Sequence, residues 1–186
     1  RDRSPSRGLG DVYKRQGASS NSNGSHKLMR NNGDGTFTNV TSGSGYDTDS
    51  MLNIEHVAHD FNNDGWVDIL SGSRLMMNNG NFTFTPVSIS ATNGPIGDLN
   101  NDGFLDIYNG NNVYFNSGNS NHWLKVHLKG VQSNSNGIGA RIELHGYGSR
   151  WSKQIRDVKS GDGFKYMSSL NTCLLYTSPS PRDGLL

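Results

Sequence analysis

The sequence is nearly without cysteine: Cys173 is the single one among 186 residues. A disulfide framework, a thiolate metal cluster and a two-cysteine redox motif are therefore excluded. No run approaches the roughly 18 apolar residues that a membrane-spanning helix needs. Charged residues make up only 18% of the chain, leucine and alanine are sparse, and no stretch keeps an apolar period of 3.6, so nothing supports a helix of useful length. What is abundant is asparagine, serine, threonine and glycine, the last numbering 24. Such a composition reads as short strands joined by tight turns, an all-β chain.

The two ends have a character of their own. Back-translating Asp11-Val12-Tyr13-Lys14-Arg15-Gln16 and reading the complementary strand one base out of register spells Cys173-Leu174-Leu175-Tyr176-Thr177-Ser178. The relation continues outward, pairing Ser6-Arg7-Gly8-Leu9-Gly10-Asp11 with Ser178-Pro179-Ser180-Pro181-Arg182-Asp183. One DNA element thus brackets the chain in opposite orientations, and it resembles a transposon-type sequencing adapter. Residues 1–16 and 173–186 are accordingly read as foreign ends on a fragment, expected to attach loosely. Without them 11 basic residues stand against 13 acidic ones, and the formal charge moves from +1 to −2. The basic, Arg/Ser/Pro-flavoured terminus then says nothing of nucleic acid, and no nucleic-acid partner is expected.

Within residues 17–172 the chain repeats itself. Leu28-Met29-Arg30-Asn31-Asn32-Gly33-Asp34-Gly35-Thr36-Phe37 recurs as Leu75-Met76-Met77-Asn78-Asn79-Gly80-Asn81-Phe82, and a weaker copy starts at Asn112-Val113-Tyr114-Phe115-Asn116. Each is an apolar strand, an Asn/Gly turn and an aromatic, the pattern of a β-hairpin. In the second copy Asn81 stands in place of Asp-Gly, which leaves its turn type open. Between the copies, Asp60-Phe61-Asn62-Asn63-Asp64-Gly65-Trp66-Val67-Asp68-Ile69-Leu70 matches Asp98-Leu99-Asn100-Asn101-Asp102-Gly103-Phe104-Leu105-Asp106-Ile107-Tyr108. Equivalent positions lie 38 or 47 residues apart, the size of a four-stranded propeller blade. After about residue 120, Trp123-Leu124-Lys125-Val126-His127-Leu128 and Ala140-Arg141-Ile142-Glu143-Leu144 alternate apolar and polar, and a second β-module over 120–172 is expected, with further strands at 153–158 and 164–168.

The two acidic stretches place oxygen side chains at positions 1, 3, 5 and 9 and glycine at position 6. Calcium, a hard cation, takes 6–8 oxygens, and a tightly curled loop aims alternate side chains at one centre. The expected ligands are Asp60, Asn62, Asp64 and Asp68 with the Trp66 carbonyl, and Asp98, Asn100, Asp102 and Asp106 with the Phe104 carbonyl. An EF-hand would need a carboxylate at position 12 and flanking helices; here position 12 is Ser71 or Asn109. The remaining alternative is an Asx-rich turn without metal. Three carboxylates per loop imply modest affinity, with dissociation constants on the order of 10⁻⁴–10⁻³ M, suited to a calcium-rich exterior.

From about residue 23 to 116 these repeats resemble the FG-GAP/VCBS repeats of integrin-α-like β-propellers, whose blades carry such calcium loops. Residues 121–170, with Trp123-Leu124, Gly137-Ile138-Gly139-Ala140-Arg141 and Gln154-Ile155-Arg156-Asp157-Val158-Lys159-Ser160-Gly161-Asp162-Gly163, look like the ASPIC/UnbV domain that follows such repeats in cartilage-acidic-protein-like and bacterial secreted proteins. The resemblance implies partial propeller blades over 17–119 and an incomplete ASPIC/UnbV module over 120–172. It also implies an extracellular or cell-surface setting, a protein or glycan ligand, and no catalytic residue.

Candidate catalytic features are weak. His56 and His59, three apart on a strand-like run, point to opposite faces. Gly137-Ile138-Gly139 lacks the third glycine and the helix of a dinucleotide fold, and no serine sits in a nucleophile elbow. Trp66, Trp123 and Trp151 are expected as packing residues rather than sugar platforms. The expectation is a non-enzymatic adhesion or recognition module; the alternative is an accessory propeller on a secreted carbohydrate-active enzyme.

Overall fold

Short β-propensity runs separated by Asn/Gly turns leave the backbone few ways to satisfy its hydrogen bonds other than hairpins. The computed structural model describes residues 27–46, 56–132, 134–145, 153–161 and 172–175, and every regular element among them is a strand. β1 (Met29–Asn31) and β2 (Phe37–Asn39) form a hairpin. β3 (His56–His59), β4 (Asp68–Ser71), β5 (Arg74–Asn78) and β6 (Phe84–Ser88) form a four-stranded antiparallel meander in sequential order. β7 (Ile96–Gly97), β8 (Asp106–Asn109) and β9 (Asn112–Tyr114) form a three-stranded one.

The first two hairpin turns superpose bond for bond. Gly33 donates its N–H to Asn31 Oδ1 at 2.8 Å and Gly80 to Asn78 Oδ1 at 2.9 Å. Asn32 N–H reaches the Thr36 carbonyl at 3.0 Å and Asn79 N–H that of Thr83 at 2.9 Å. Thr36 N–H meets Asp34 Oδ1 at 2.8 Å and Thr83 N–H meets Asn81 Oδ1 at 3.1 Å. Asn81 therefore takes the part of Asp34, and Phe82, at φ 65°, the part of Gly35, at 91°. The turn left open by the sequence is the same turn, and the aromatic equivalent to Phe37 is Phe84 rather than Phe82. By this equivalence β1–β2 is the outer half of one blade, β3–β6 a whole blade and β7–β9 three strands of the next. The chain is all-β and a partial propeller.

Within the blade, β4 is covered on both faces and has no exposed residue, whereas most of β6 is exposed. Successive residues on a strand point to opposite sides. Ile69 packs with Leu28, Tyr46, Met76 and Phe84 toward the preceding hairpin. Leu70 packs with Val57, Phe61, Ala91, Ile96 and Ile107 toward the next blade. β6 is the blade's outer strand; it tolerates Pro86 because an edge strand need not donate every N–H.

Beyond the repeats, β10 (Trp123–Val126) pairs with β13 (Thr172–Leu175), and β11 (Arg141–His145) with β12 (Lys153–Asp157). These strands match the alternation read at 123–128, 140–144 and 153–158; the strand expected at 164–168 lies outside the described residues. The expectation of a loose C-terminal end is corrected for residues 173–175. They pair with β10, and Leu174 is 1% exposed, because an open strand edge accepts any segment that alternates suitably. Residues 1–16 lie outside the described residues.

Candidate metal centre

The first acidic loop joins β3 to β4 and the second joins β7 to β8, the same corner of successive blades. Each curls because one side chain after another accepts a backbone N–H. Asp60 Oδ1 accepts from Asp64 N–H at 3.1 Å and Asp60 Oδ2 from Gly65 N–H at 2.9 Å. Asp98 repeats this with Asp102 at 3.0 Å and Gly103 at 3.1 Å. Asn62 Oδ1 accepts from Asp64 N–H at 3.1 Å and Asn100 Oδ1 from Asp102 N–H at 3.2 Å. Asp64 Oδ1 accepts from Trp66 N–H at 2.8 Å and Asp102 Oδ1 from Phe104 N–H at 2.9 Å.

The ninth-position aspartates, both 0% exposed, do more than close the loop. Asp68 accepts Phe61 N–H at 2.9 Å on one oxygen and Asn78 N–H at 2.8 Å on the other. Asp106 does the same with Leu99 at 2.8 Å and Asn116 at 2.9 Å. Each carboxylate therefore ties its loop to the following hairpin turn. The curl needs a positive φ at position 4, supplied by Asn63 at 52° and Asn101 at 64°, and at position 6, where Gly65 has 92° and Gly103 86°. Asparagine and glycine tolerate that region best.

The loops sit side by side. Asn63 Nδ2 donates to the Gly103 carbonyl at 2.9 Å, Asn116 Nδ2 to the Phe61 carbonyl at 2.8 Å, and Asn119 Nδ2 to the Asn62 carbonyl at 2.7 Å. None of these tertiary roles is legible from motif spacing; the signal was the recurrence of asparagine at the same loop and turn positions.

Electrostatically the first loop is crowded with negative charge. Burial pushes Asp60 up to about 6, offset in part by the Arg156 guanidinium, with the neighbouring Asp64 charge raising it further. Burial likewise pushes Asp68 up to about 7 against its two backbone donors, and the charges of Asp60 and Asp64 add to the rise. The ten residues expected as ligands lie five on each loop, at equivalent positions. The Trp66 ring lies against Gly80 and that of Phe104 against Gly118, a packing role for both side chains that leaves only their carbonyls as donors. Among the described residues no group of three or more His, Cys, Asp or Glu converges closely enough to hold a metal by itself. The donor set is all oxygen, holds three carboxylates per loop, of which Asp60, Asp68 and Asp106 are buried, and fits a hard cation better than a soft one.

His56 is occupied by structure: its Nε2 lies 2.8 Å from the Tyr46 hydroxyl. Trp123 packs its ring over Gly103, in keeping with a packing role; Trp151 lies outside the described residues.

Comparison with protein families finds the FG-GAP-like repeat twice, over residues 11–71 and 60–109, which together span more than half of the chain. The chain belongs to the FG-GAP-like repeat family. Both acidic loops lie inside the FG-GAP-like matches, and the first of them, 60–68, falls where the two matches overlap. Comparison with curated proteins returns no match. No helix among the described residues is long and apolar enough to cross a membrane.

Proposed function

We propose that this chain is the calcium-binding part of a non-enzymatic recognition module that works outside the cell, each FG-GAP-like blade corner being fixed by one Ca²⁺. The observation that carries the reading is the duplication of the loops: two stretches of different neighbouring sequence fold to the same hydrogen bonds, with oxygen-bearing residues at the same positions of each. When bound, the ion would supply positive charge that neutralises three carboxylates. Asp60, Asn62, Asp64, Asp68 and the Trp66 carbonyl would hold one ion; Asp98, Asn100, Asp102, Asp106 and the Phe104 carbonyl would hold the other. Its role is structural, holding strand-connecting loops so that the neighbouring surface is presented rigidly to a protein or glycan ligand. The strands after residue 120 belong, on this reading, to an ASPIC/UnbV-like module, for which the alternation of β10 and β11 and the run 154–163 speak.

Terbium luminescence tests the ion site. Trp66 is at the seventh position of the first loop, close enough to sensitise a lanthanide held there. Terbium emission excited through tryptophan should rise on binding and fall when calcium is added in excess. Absence of sensitised emission at millimolar terbium would contradict the reading.

A further inference from the structure

Two buried ion pairs join the downstream strands to the repeats, and both end on the first aspartate of an acidic loop. Arg156, on β12, reaches Asp60 Oδ2 from Nη2 at 3.0 Å, across 96 residues of chain. Lys125, on β10, reaches Asp98 Oδ2 at 2.5 Å and also donates to Asn101 Oδ1 at 2.6 Å. The side chains are 14% and 4% exposed in the first pair and 20% and 4% in the second, so neither is a solvent-screened surface contact. Around Lys125 the Trp123 ring, 5.7 Å from its Nζ, covers Gly103 and closes the second loop from the same side. Two cations from different strands thus meet the equivalent atom of two equivalent loops.

We propose that Arg156 and Lys125 are built-in counter-cations of the two loops, so that calcium and the docked downstream strands compete for the position-1 carboxylates. The proposal rests on the calcium reading above. A guanidinium or ammonium at that oxygen holds the loop's negative charge together when calcium is scarce and lowers its affinity for the ion. Linkage makes the effect reciprocal: filling the loops weakens the attachment of β10 and β12 by the same factor that the attachment weakens calcium. The downstream strands then read the calcium level of the propeller-type repeats.

Calcium titration calorimetry on the full chain, with Arg156→Met and Lys125→Met, tests this. Methionine keeps an unbranched apolar stem and removes the charge. Each variant should tighten calcium binding at one of two sites roughly tenfold, the scale on which a neighbouring charge shifts a carboxylate's equilibrium, while Arg156→Lys should retain the original affinity. Amide exchange on the unmodified chain supplies a second measurement that does not depend on the variants folding: calcium should reduce protection in β10 and β12. Calcium heat in the unmodified chain with unchanged or weaker binding in both variants would overturn the counter-cation role alone. Unchanged protection of β10 and β12 on saturation would do the same. No heat in any of the proteins would remove the calcium reading and this one with it, whereas heat that appears only in the variants would support it.

Discussion

Asp68 and Asp106 each accept two backbone N–H groups from segments that are not adjacent in sequence, and both are sealed from water. Removing such a carboxylate leaves two buried donors without partners, at about 1–3 kcal/mol each. Asp68→Ala should therefore lower stability by about 2–5 kcal/mol even in a chelator, read as a fall in the urea midpoint with an unchanged slope. Asp64→Ala offers a contrast at the same loop, since Asp64 is only half-buried and accepts the Trp66 N–H and the Asn62 amide, both from its own loop; in a chelator it should cost under about 2 kcal/mol, because water can take over the freed donors. Gly80 is the second sensitive residue. At φ 82° any side chain is strained, and a Cβ there would lie 2.7 Å from the Trp66 ring. Gly80→Ala should cost about 1–3 kcal/mol, measurable in the same melts.

At the scale of the element, the acidic loop stores unfavourable charge. Asp60 and Asp68, raised to about 6 and about 7 from the ordinary 3.8, bind protons more tightly folded than unfolded. A raised carboxyl pKa gives stability that is complete below about 4 and is lost as pH climbs through the folded values. In a chelator the urea midpoint should thus fall from about pH 4 to about pH 7, most steeply below pH 6 where both groups differ, and level off above; saturating calcium should abolish most of that fall by replacing the protons. A midpoint that rose over this range in the chelator would contradict the charge crowding. The hairpin turns and acidic loops were largely legible in the sequence, because Asn, Asp and Gly act through bonds to their own backbone two to five residues away. The identity of the turn at 78–84 was not: Phe82 adopts a positive φ that its residue type does not announce. Nor were Lys125 and Arg156, whose partners lie 27 and 96 residues away and are set only by tertiary packing.

At the scale of the molecule, stability comes from blades stacked face to face, with β4 in the middle. Leu70, fully buried between the second and third sheets, should cost about 2–5 kcal/mol when cut to alanine. Among the described residues the repeat stack ends at the β7–β9 sheet. β9 forms one edge of its three-stranded sheet; Val113 within it and Phe115 just after it are 41% and 61% exposed. An open edge with apolar neighbours templates self-association. Val113→Lys should raise the monomer fraction in sedimentation velocity at tens of micromolar, whereas a monomer before and after substitution would show that the edge is harmless. The partial-propeller architecture was legible from repeat length; the pairing of residues 173–175 with β10 was not, since it depends on which edge stood open.

The account stands on calcium gathering the two acidic loops, and thermal unfolding of the chain and of its Asp64→Ala/Asp102→Ala double variant tests that most directly. With the unmodified chain, raising calcium from chelated to about 10 mM, some tenfold above millimolar dissociation constants, should add about 1.4 kcal/mol per site and move the midpoint upward by several degrees. The double variant should show no such shift. An unmodified chain whose midpoint ignores calcium, or a double variant that gains as much as the parent, would contradict it.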